Sequence, residues 1–290
     1  MLLQPERDLG RLDDGPLLIF GGPYSNLAAS TAMLDVASAR KIPASRIICT
    51  GDVVAYCAEP DQTCQLLKAS GIEVVMGNCE ESLAFGADDC GCGFEPGMLC
   101  STLSRDWYGY ASSRISADSR DWMSDLPRLI RFEYGGLRCL VVHGAPERIN
   151  RFVFASSSDQ DKRPALEACA VDVIIGGHCG LPFGQRLDAG FWLNAGVIGL
   201  PANDGGRHGW YMLLSTKGGE VIATWHRLDY DAALSARHMA QAGLSAYADT
   251  LCNGLWPSMD VLPPGEREQA GKALKLPPLS LAAAGATRRH

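Results

Sequence analysis

The chain has 290 residues, enough for one large α/β domain, or one domain with a smaller appendage, and a core of ordinary size. Hydrophobic residues at 47% and charged residues at 20% describe a soluble globular protein. A net charge of -7 excludes the electrostatic footprint of a protein that binds long nucleic acid or an anionic membrane surface, and leaves room for a small anionic ligand held by a metal or a local arginine cluster.

Met1 to Gly15 carries Glu6, Asp8, Asp13 and Asp14 and has no apolar core of signal-peptide length. No run approaches the roughly 18 apolar residues that span a bilayer, so a cytoplasmic location without a membrane partner is expected. Leu17 to Phe20 is a short apolar strand stopped by Gly21-Gly22-Pro23, and Ser25 to Ala39 then has the apolar positions of a helix. Ile47 to Cys49 is a second strand, stopped by Thr50-Gly51-Asp52. Pro60 to Ala69 is a second helix, and Glu73 to Met76 a third strand stopped by Gly77-Asn78. Short apolar strands alternating with helices predict an α/β fold whose sheet is buried on both faces.

From Ser82 to about Arg128 the pattern changes. A cysteine- and glycine-bearing loop precedes helical stretches over Leu103–Tyr110 and Ala117–Leu126. Arg128–Tyr134 and Arg138–Val142 form a hairpin across Gly135-Gly136, the second strand ending at His143-Gly144. Val171–Ile175 is a strand ending at Gly176-Gly177-His178. Phe191–Leu193, Trp210–Ser215 and Glu220–Trp225 have the character of a second sheet, with Lys217-Gly218-Gly219 as a turn. A helix over Ala232–Asn253, a proline-bearing segment from Pro257 to Pro278 and a mobile tail over Ala282–His290 complete the chain. The expected organisation is a main domain over 15–229 with an insert at about 82–127, followed by a C-terminal helix and tail over 230–290.

Polar residues recur just after strand ends: Asp52, Asn78, His143 and His178. In an open α/β sheet the crevice outside the strand carboxyl ends is where ligands bind. One Asp, one Asn and two His brought there can converge on a metal ion, and imidazole with oxygen ligands suits Zn, Fe, Mn or Ni. Each residue alone is an ordinary turn or core residue; the shared topological place is what singles them out. Eleven cysteines, an odd number, argue against a complete disulfide framework and leave burial or metal ligation as their account. Cys79 follows Asn78, and Cys90-Gly91-Cys92 is a C-x-C in a flexible loop downstream; these three are the thiols placed to supplement a metal site. The same residues also suit burial as small apolar side chains.

The order Gly51-Asp52, Gly77-Asn78, His143-Gly144 and Gly177-His178 resembles the sequential motifs of the calcineurin-like metallophosphoesterases. Ser25-Asn26-Leu27 is similar to the end of that family's first motif, and Asn194 to Gly199 to its NPGSVG segment. The resemblance runs from about Leu17 to Trp225. It implies a four-layer αββα sandwich with a two-metal centre at one rim, here with an inserted helical segment and a C-terminal helical extension. It also implies a metal-dependent hydrolase of phosphate esters, phosphatase or phosphodiesterase, in which metal-bound hydroxide attacks the phosphorus of a small phosphorylated or other anionic substrate.

Against that family pattern, Asp52, Asn78, His143 and His178 match the ligands of the second metal. The private ligands of the first metal are replaced by Gly22, Tyr24 and Gly180. The family's catalytic His after GN is Cys79, and Glu80 matches the acid that follows it. The resemblance therefore implies a remodelled centre of one or two divalent ions, with Tyr24, Cys79 and Glu80 as the residues assisting chemistry. Two alternatives keep the fold: a metalloenzyme acting on a non-phosphate substrate, and a non-catalytic metal- or ligand-binding protein. Gly21–Tyr24 offers backbone N–H groups to an anion or simply makes the turn; Arg148 and Arg151 are candidates for anion contacts or surface ion pairs. Trp107, Tyr108, Tyr110 and Trp122 read as packing for the inserted helices, with a lid as the alternative.

Overall fold

Every side chain of Leu17–Phe20 is buried, because helices cover one face of this strand and a second sheet covers the other. A computed structural model describes residues 5–94 and 97–282. One six-stranded sheet runs in the order Glu6–Arg11 (β1), Leu129–Tyr134 (β5), Leu137–Val142 (β6), Val173–Gly176 (β7), Gly190–Asn194 (β9), Phe183–Leu187 (β8). The other runs Leu279–Ser280 (β12), Glu220–Leu228 (β11), Gly209–Lys217 (β10), Leu17–Phe20 (β2), Ile47–Cys49 (β3), Glu73–Val74 (β4).

The two-residue side-chain period of a strand divides the core. Leu17 and Ile19 point between the sheets, where they meet Val141, Ile175, Met212 and Leu214. Leu18 and Phe20 point outward, onto the layer that holds Met33 of Leu27–Ala39 (α1) and Leu67 of Pro60–Ser70 (α2). On the far side, Leu140, Ile174 and Trp192 pack with Leu166 of Asp159–Cys169 (α6). The layers are thus helix, sheet, sheet, helix, the mixed α/β sandwich expected from the sequence.

Three local expectations are corrected. Phe191–Leu193 does not share a sheet with the two long strands after it: β9 pairs parallel with β7. β10 pairs antiparallel with β2, so β10 and β11 extend the sheet begun by β2, β3 and β4. The helix expected over 232–253 is two helices, Ala232–Gln241 (α7) and Ser245–Asn253 (α8), parted at Gly243 with φ 80°. The edge strand β1, the helix α6 and the short strands β8 and β12 carry no clear period and were not anticipated; β1 has five exposed residues out of six. Of the tail expected to be mobile, all but Ala282 lies outside the described residues. No helix among the described residues is long and apolar enough to cross a membrane.

Between β4 and β5 the chain forms Asn78–Phe85 (α3), Leu99–Ser112 (α4) and Ala117–Ser124 (α5), the last two within the expected insert at about 82–127. Its last helix is tied to α2 by Lys68 Nζ and Gln65 Nε2, which donate to Asp118 at 2.6 and 2.9 Å, and by the Asp61 carboxylate. Asp61 Oδ1 accepts from Ser116 N (3.0 Å), Ser116 Oγ (2.7 Å) and Ser119 Oγ (2.6 Å), the start of α5. Burial would raise this carboxyl, but the serine hydrogen bonds outweigh it and hold the pKa below its usual value. Asp61→Ala is expected to cost about 1–3 kcal/mol in urea denaturation, since three donors lose their acceptor. A folded pKa below the unfolded one means the contribution is complete above the ordinary Asp value of about 3.9 and fades as pH falls through the lower folded value. Loss of less than about 0.5 kcal/mol at neutral pH would show that the serines find other acceptors.

Candidate metal centre

The ends of β3, β4, β6 and β7 lie close together, and the turn after each carries one polar residue inward. The approach is tight enough to dictate glycine. At Gly51, φ is 94°, and an added Cβ would lie 2.8 Å from Gly77 N and 2.9 Å from His143 Nδ1. Side chains larger than hydrogen would hold the three loops apart. Asp52 and His178 follow at φ 54° and 55°, left-handed conformations rare for residues with a Cβ and concentrated where surrounding structure imposes them. Asn26 ties the first motif down: its Oδ1 caps α1 by accepting from Ala29 N at 3.1 Å, and its Nδ2 donates to Gly199 O at 2.9 Å.

Asp52, Asn78, His143 and His178 are all buried. His143 Nδ1 donates to Thr50 O at 2.7 Å, which fixes the tautomer and turns Nε2 to the interior. Around that Nε2 lie Asn78 Oδ1 at 3.1 Å, His178 Nδ1 at 3.1 Å and Asp52 Oδ1 at 3.3 Å. Asn78 Nδ2 donates to Cys90 O at 2.8 Å, so its carbonyl oxygen is the atom facing the cluster. Four lone-pair atoms therefore face one another in a buried place. A single proton on His143 Nε2 relieves these contacts only one at a time, whereas one divalent cation satisfies all four. Oxygen and imidazole donors of this kind fit Zn, Fe, Mn or Ni, and the ligand atoms of Asp52, His143 and His178 all lie within 4.8 Å of one another.

The electrostatics agree with that donor set. Burial alone would raise the Asp52 carboxyl, but attraction and hydrogen bonding from His143, with help from His178 and the Cys79 thiol, hold it below its usual value. Burial opposes a charged His143; Asp52 and the Thr50 carbonyl overcome this and raise its pKa. His178 is pushed down to about 3 by burial and then by His143, so its imidazole is neutral, as a ligand must be.

Glu80 and Cys79 sit behind the cluster. Glu80 Oε2 accepts from Asp52 N at 2.8 Å and Gly77 N at 3.0 Å, and Oε1 from Val54 N at 3.1 Å. Both oxygens are engaged by backbone, so Glu80 clamps the Asp52 turn to the start of α3. Burial and the charge of Asp52 raise its carboxyl to about 7, with the amide groups pulling the other way. Burial and then Asp52 push the Cys79 thiol well up, so it stays protonated, and the Cys79 backbone N donates to Asp52 Oδ1 at 3.4 Å. Cys90 and Cys92 are joined to each other as a disulfide, and in that state neither offers a thiolate. Arg151 pairs with Glu147, and Arg148 is exposed; neither lines the cleft beside the metal cluster.

That cleft opens against Asp52 and His178 and also holds Tyr24 and Gly180. The three positions that depart from the family pattern form one packing unit. An added Cβ at Gly22 would lie 2.6 Å from Tyr24 Cζ, and one at Gly180 would lie 3.7 Å from the Tyr24 hydroxyl oxygen. The tyrosine ring therefore lies over the backbone of Gly22 and reaches toward Gly180, filling the space between the two glycines. Tyr56 packs edge-on against Tyr24 with centroids 4.7 Å apart. Tyr56, Tyr247 and Trp256, which also wall the cleft, were missed by sequence reasoning. Tyr56 lies only four residues after Asp52 and offered a local signal; Tyr247 and Trp256 come from the C-terminal segment and offered none. Trp107, Tyr108, Tyr110 and Trp122 do not line the cleft.

The chain matches the sequence model of the calcineurin-like phosphoesterase superfamily domain over residues 25–219. Among solved structures it is similar to a metallophosphoesterase from Sphaerobacter thermophilus, with 20% identity, a TM-score of 0.63, and coverage of 84% of this chain and 100% of that one. It is similar also to a hypothetical protein from Pyrococcus horikoshii OT3, with 14% identity, a TM-score of 0.66, and coverage of 83% and 99%. At these identities the likeness is one of fold. No curated protein matches the chain.

Proposed function

The chain belongs to the calcineurin-like phosphoesterase superfamily, and from that premise we propose that it is a phosphoesterase with a remodelled, single-ion centre held by Asp52, Asn78, His143 and His178. The observation that carries the proposal is the convergence of Asn78 Oδ1, His178 Nδ1 and Asp52 Oδ1 on His143 Nε2. A divalent ion bound there supplies Lewis acidity, which acidifies water and polarises a phosphoryl oxygen.

The protein's own groups have separate tasks. Thr50 O holds His143 so that Nε2 faces Asp52, Asn78 and His178, where it would be a ligand to a bound ion, and Glu80 fixes the turn that presents Asp52. The Cys79 thiol steadies the Asp52 carboxylate and does not line the cleft, so it is a positioning residue. Tyr24 does line the cleft. Burial, then the negative charge of Asp52, raises its hydroxyl well above the ordinary range, so it remains a hydrogen-bond donor available to a substrate oxygen. Filling of the space between Gly22 and Gly180 by the Tyr24 ring supports one ion rather than two.

Metal analysis after saturation with Mn and removal of excess is expected to give one equivalent per chain, with turnover of phenyl phosphate or a diaryl phosphodiester. Two equivalents would overturn the single-ion centre, and none would overturn the site. The same filling of space by Tyr24 also favours a second reading, a metal-binding member of the fold without hydrolysis. One equivalent of metal with no turnover of any phosphoester would establish that reading instead.

A further inference from the structure

Six aromatic side chains, Tyr24, Tyr56, Phe94, Phe152, Tyr247 and Trp256, contribute to the wall of the cleft. They form a continuous surface in places. Tyr56 lies 4.6 Å from Tyr247 and 4.7 Å from Tyr24 between centroids, and Phe152 lies 4.1 Å from the His178 ring. Among the described residues no lysine or arginine lines the cleft, and Asp52 is the one carboxylate in its wall.

Charge and ring faces limit the ligand further. With no lysine or arginine in the cleft wall among the described residues, compensation of a ligand's negative charge is confined to the cluster at Asp52 and His178. Each further phosphate would lie uncompensated against aromatic faces, whose quadrupoles present negative charge. Flat apolar groups suit those same faces.

We infer that the cleft takes a planar aromatic group carrying a single phosphoryl group, the ring among Tyr56, Tyr247 and Trp256 and the phosphoryl group beside Asp52 and His178. This rests on the phosphoesterase reading for the phosphoryl end; the aromatic end stands on the cleft alone. Phenyl and nucleobase rings share this chemistry, and comparing phenyl phosphate with a nucleoside monophosphate separates them. Two of the three rings come from the C-terminal segment, which makes that segment the part of the chain that chooses the substrate.

The test is calorimetric titration of the full Mn-loaded chain with phenylphosphonate, methylphosphonate and pyrophosphate, none of which presents a phosphate ester bond to hydrolyse. Phenylphosphonate is expected to bind at least about tenfold more tightly than methylphosphonate, the effect of burying one aromatic ring. That preference should fall to about twofold in Trp256→Ala. Phe94→Ala, at a half-buried position, gives a second reading of the wall if the tryptophan variant folds poorly. Equal binding of the two phosphonates, binding of neither, or tighter binding of pyrophosphate than of phenylphosphonate would overturn the inference. Aryl preference in binding without turnover of phenyl phosphate would overturn hydrolysis and leave the aromatic site standing. Turnover of phenyl phosphate and glycerol phosphate with equal kcat/KM would do the reverse.

Discussion

His143→Ala will leave a folded chain that no longer retains a divalent metal through gel filtration, and Asp52→Ala will do the same. His143 Nε2 is the point on which the other three ligand atoms converge, at 3.1 to 3.3 Å. Loss of outer-shell partners of metal ligands already costs roughly 10–100-fold in affinity or activity, so loss of the central ligand should exceed about a hundredfold. Full metal retention by both variants would remove the site from consideration. The wild-type chain should also show a pH dependence of a particular sign. Thr50 O keeps Nδ1 protonated, so a proton on Nε2 makes His143 cationic, and Asp52 raises the pKa for that proton. Metal must displace it, so affinity should climb about tenfold per pH unit below the folded pKa of His143 and level off above it. The metal-free chain should respond in the opposite direction. A folded pKa above the ordinary His value of about 6.5 means that the His143–Asp52 pair stabilises the fold fully below that value, and that this contribution is lost as pH rises through the folded pKa.

Gly22→Ala is the second change with a large expected effect, and it acts on stability. Gly22 has φ 45°, and a Cβ there would sit 2.5 Å from Val197 Cγ1 and 2.6 Å from Tyr24 Cζ. The left-handed backbone costs an L-residue about 1–2 kcal/mol, and the overpacking about 1–3 kcal/mol more. Their sum, about 2–5 kcal/mol, should appear as a drop of several degrees in Tm. Tyr24→Ala in the same chain removes the ring that collides. The double variant should therefore lose less stability than the two single losses added together. Strict additivity would mean that Gly22 and Tyr24 are independent, and that the two departures from the family pattern did not arise as one packing unit.

The metal cluster was legible in the sequence because each ligand is announced locally, by an apolar run, a glycine and a polar residue. Gly51 shows why the signal is reliable: three loops meet where only hydrogen fits, so the glycine and the polar residue after it are set by one constraint. The helix–sheet–sheet–helix layering was legible for a similar reason, through the βαβ pattern and the family motifs. Strand order was not. Nothing in Trp210–Ser215 says that it pairs with Leu17–Phe20, since register across that distance is decided by tertiary packing. The cleft wall was hidden in the same way: Tyr247 and Trp256 meet Tyr24 and Tyr56 only after the C-terminal segment has folded back. The role of Glu80 as a clamp needed coordinates, because a glutamate in the first turn of a helix has an ordinary place there already. The Cys90–Cys92 pair was read as thiols because an odd cysteine count argues only against a complete framework.

Trp256 is fastened to the body of the domain twice, its indole Nε1 donating to Pro201 O at 2.8 Å and its backbone N to Asn203 Oδ1 at 2.8 Å. In a chain made from its N-terminus, Asp52, Asn78, His143 and His178 are all synthesised by residue 178, and Tyr247 and Trp256 follow 69 and 78 residues later. On the ribosome the four cluster residues therefore emerge before the part of the cleft wall that Tyr247 and Trp256 supply. A chain cut short before residue 247 would carry the cluster residues without the two rings that close that side of the cleft.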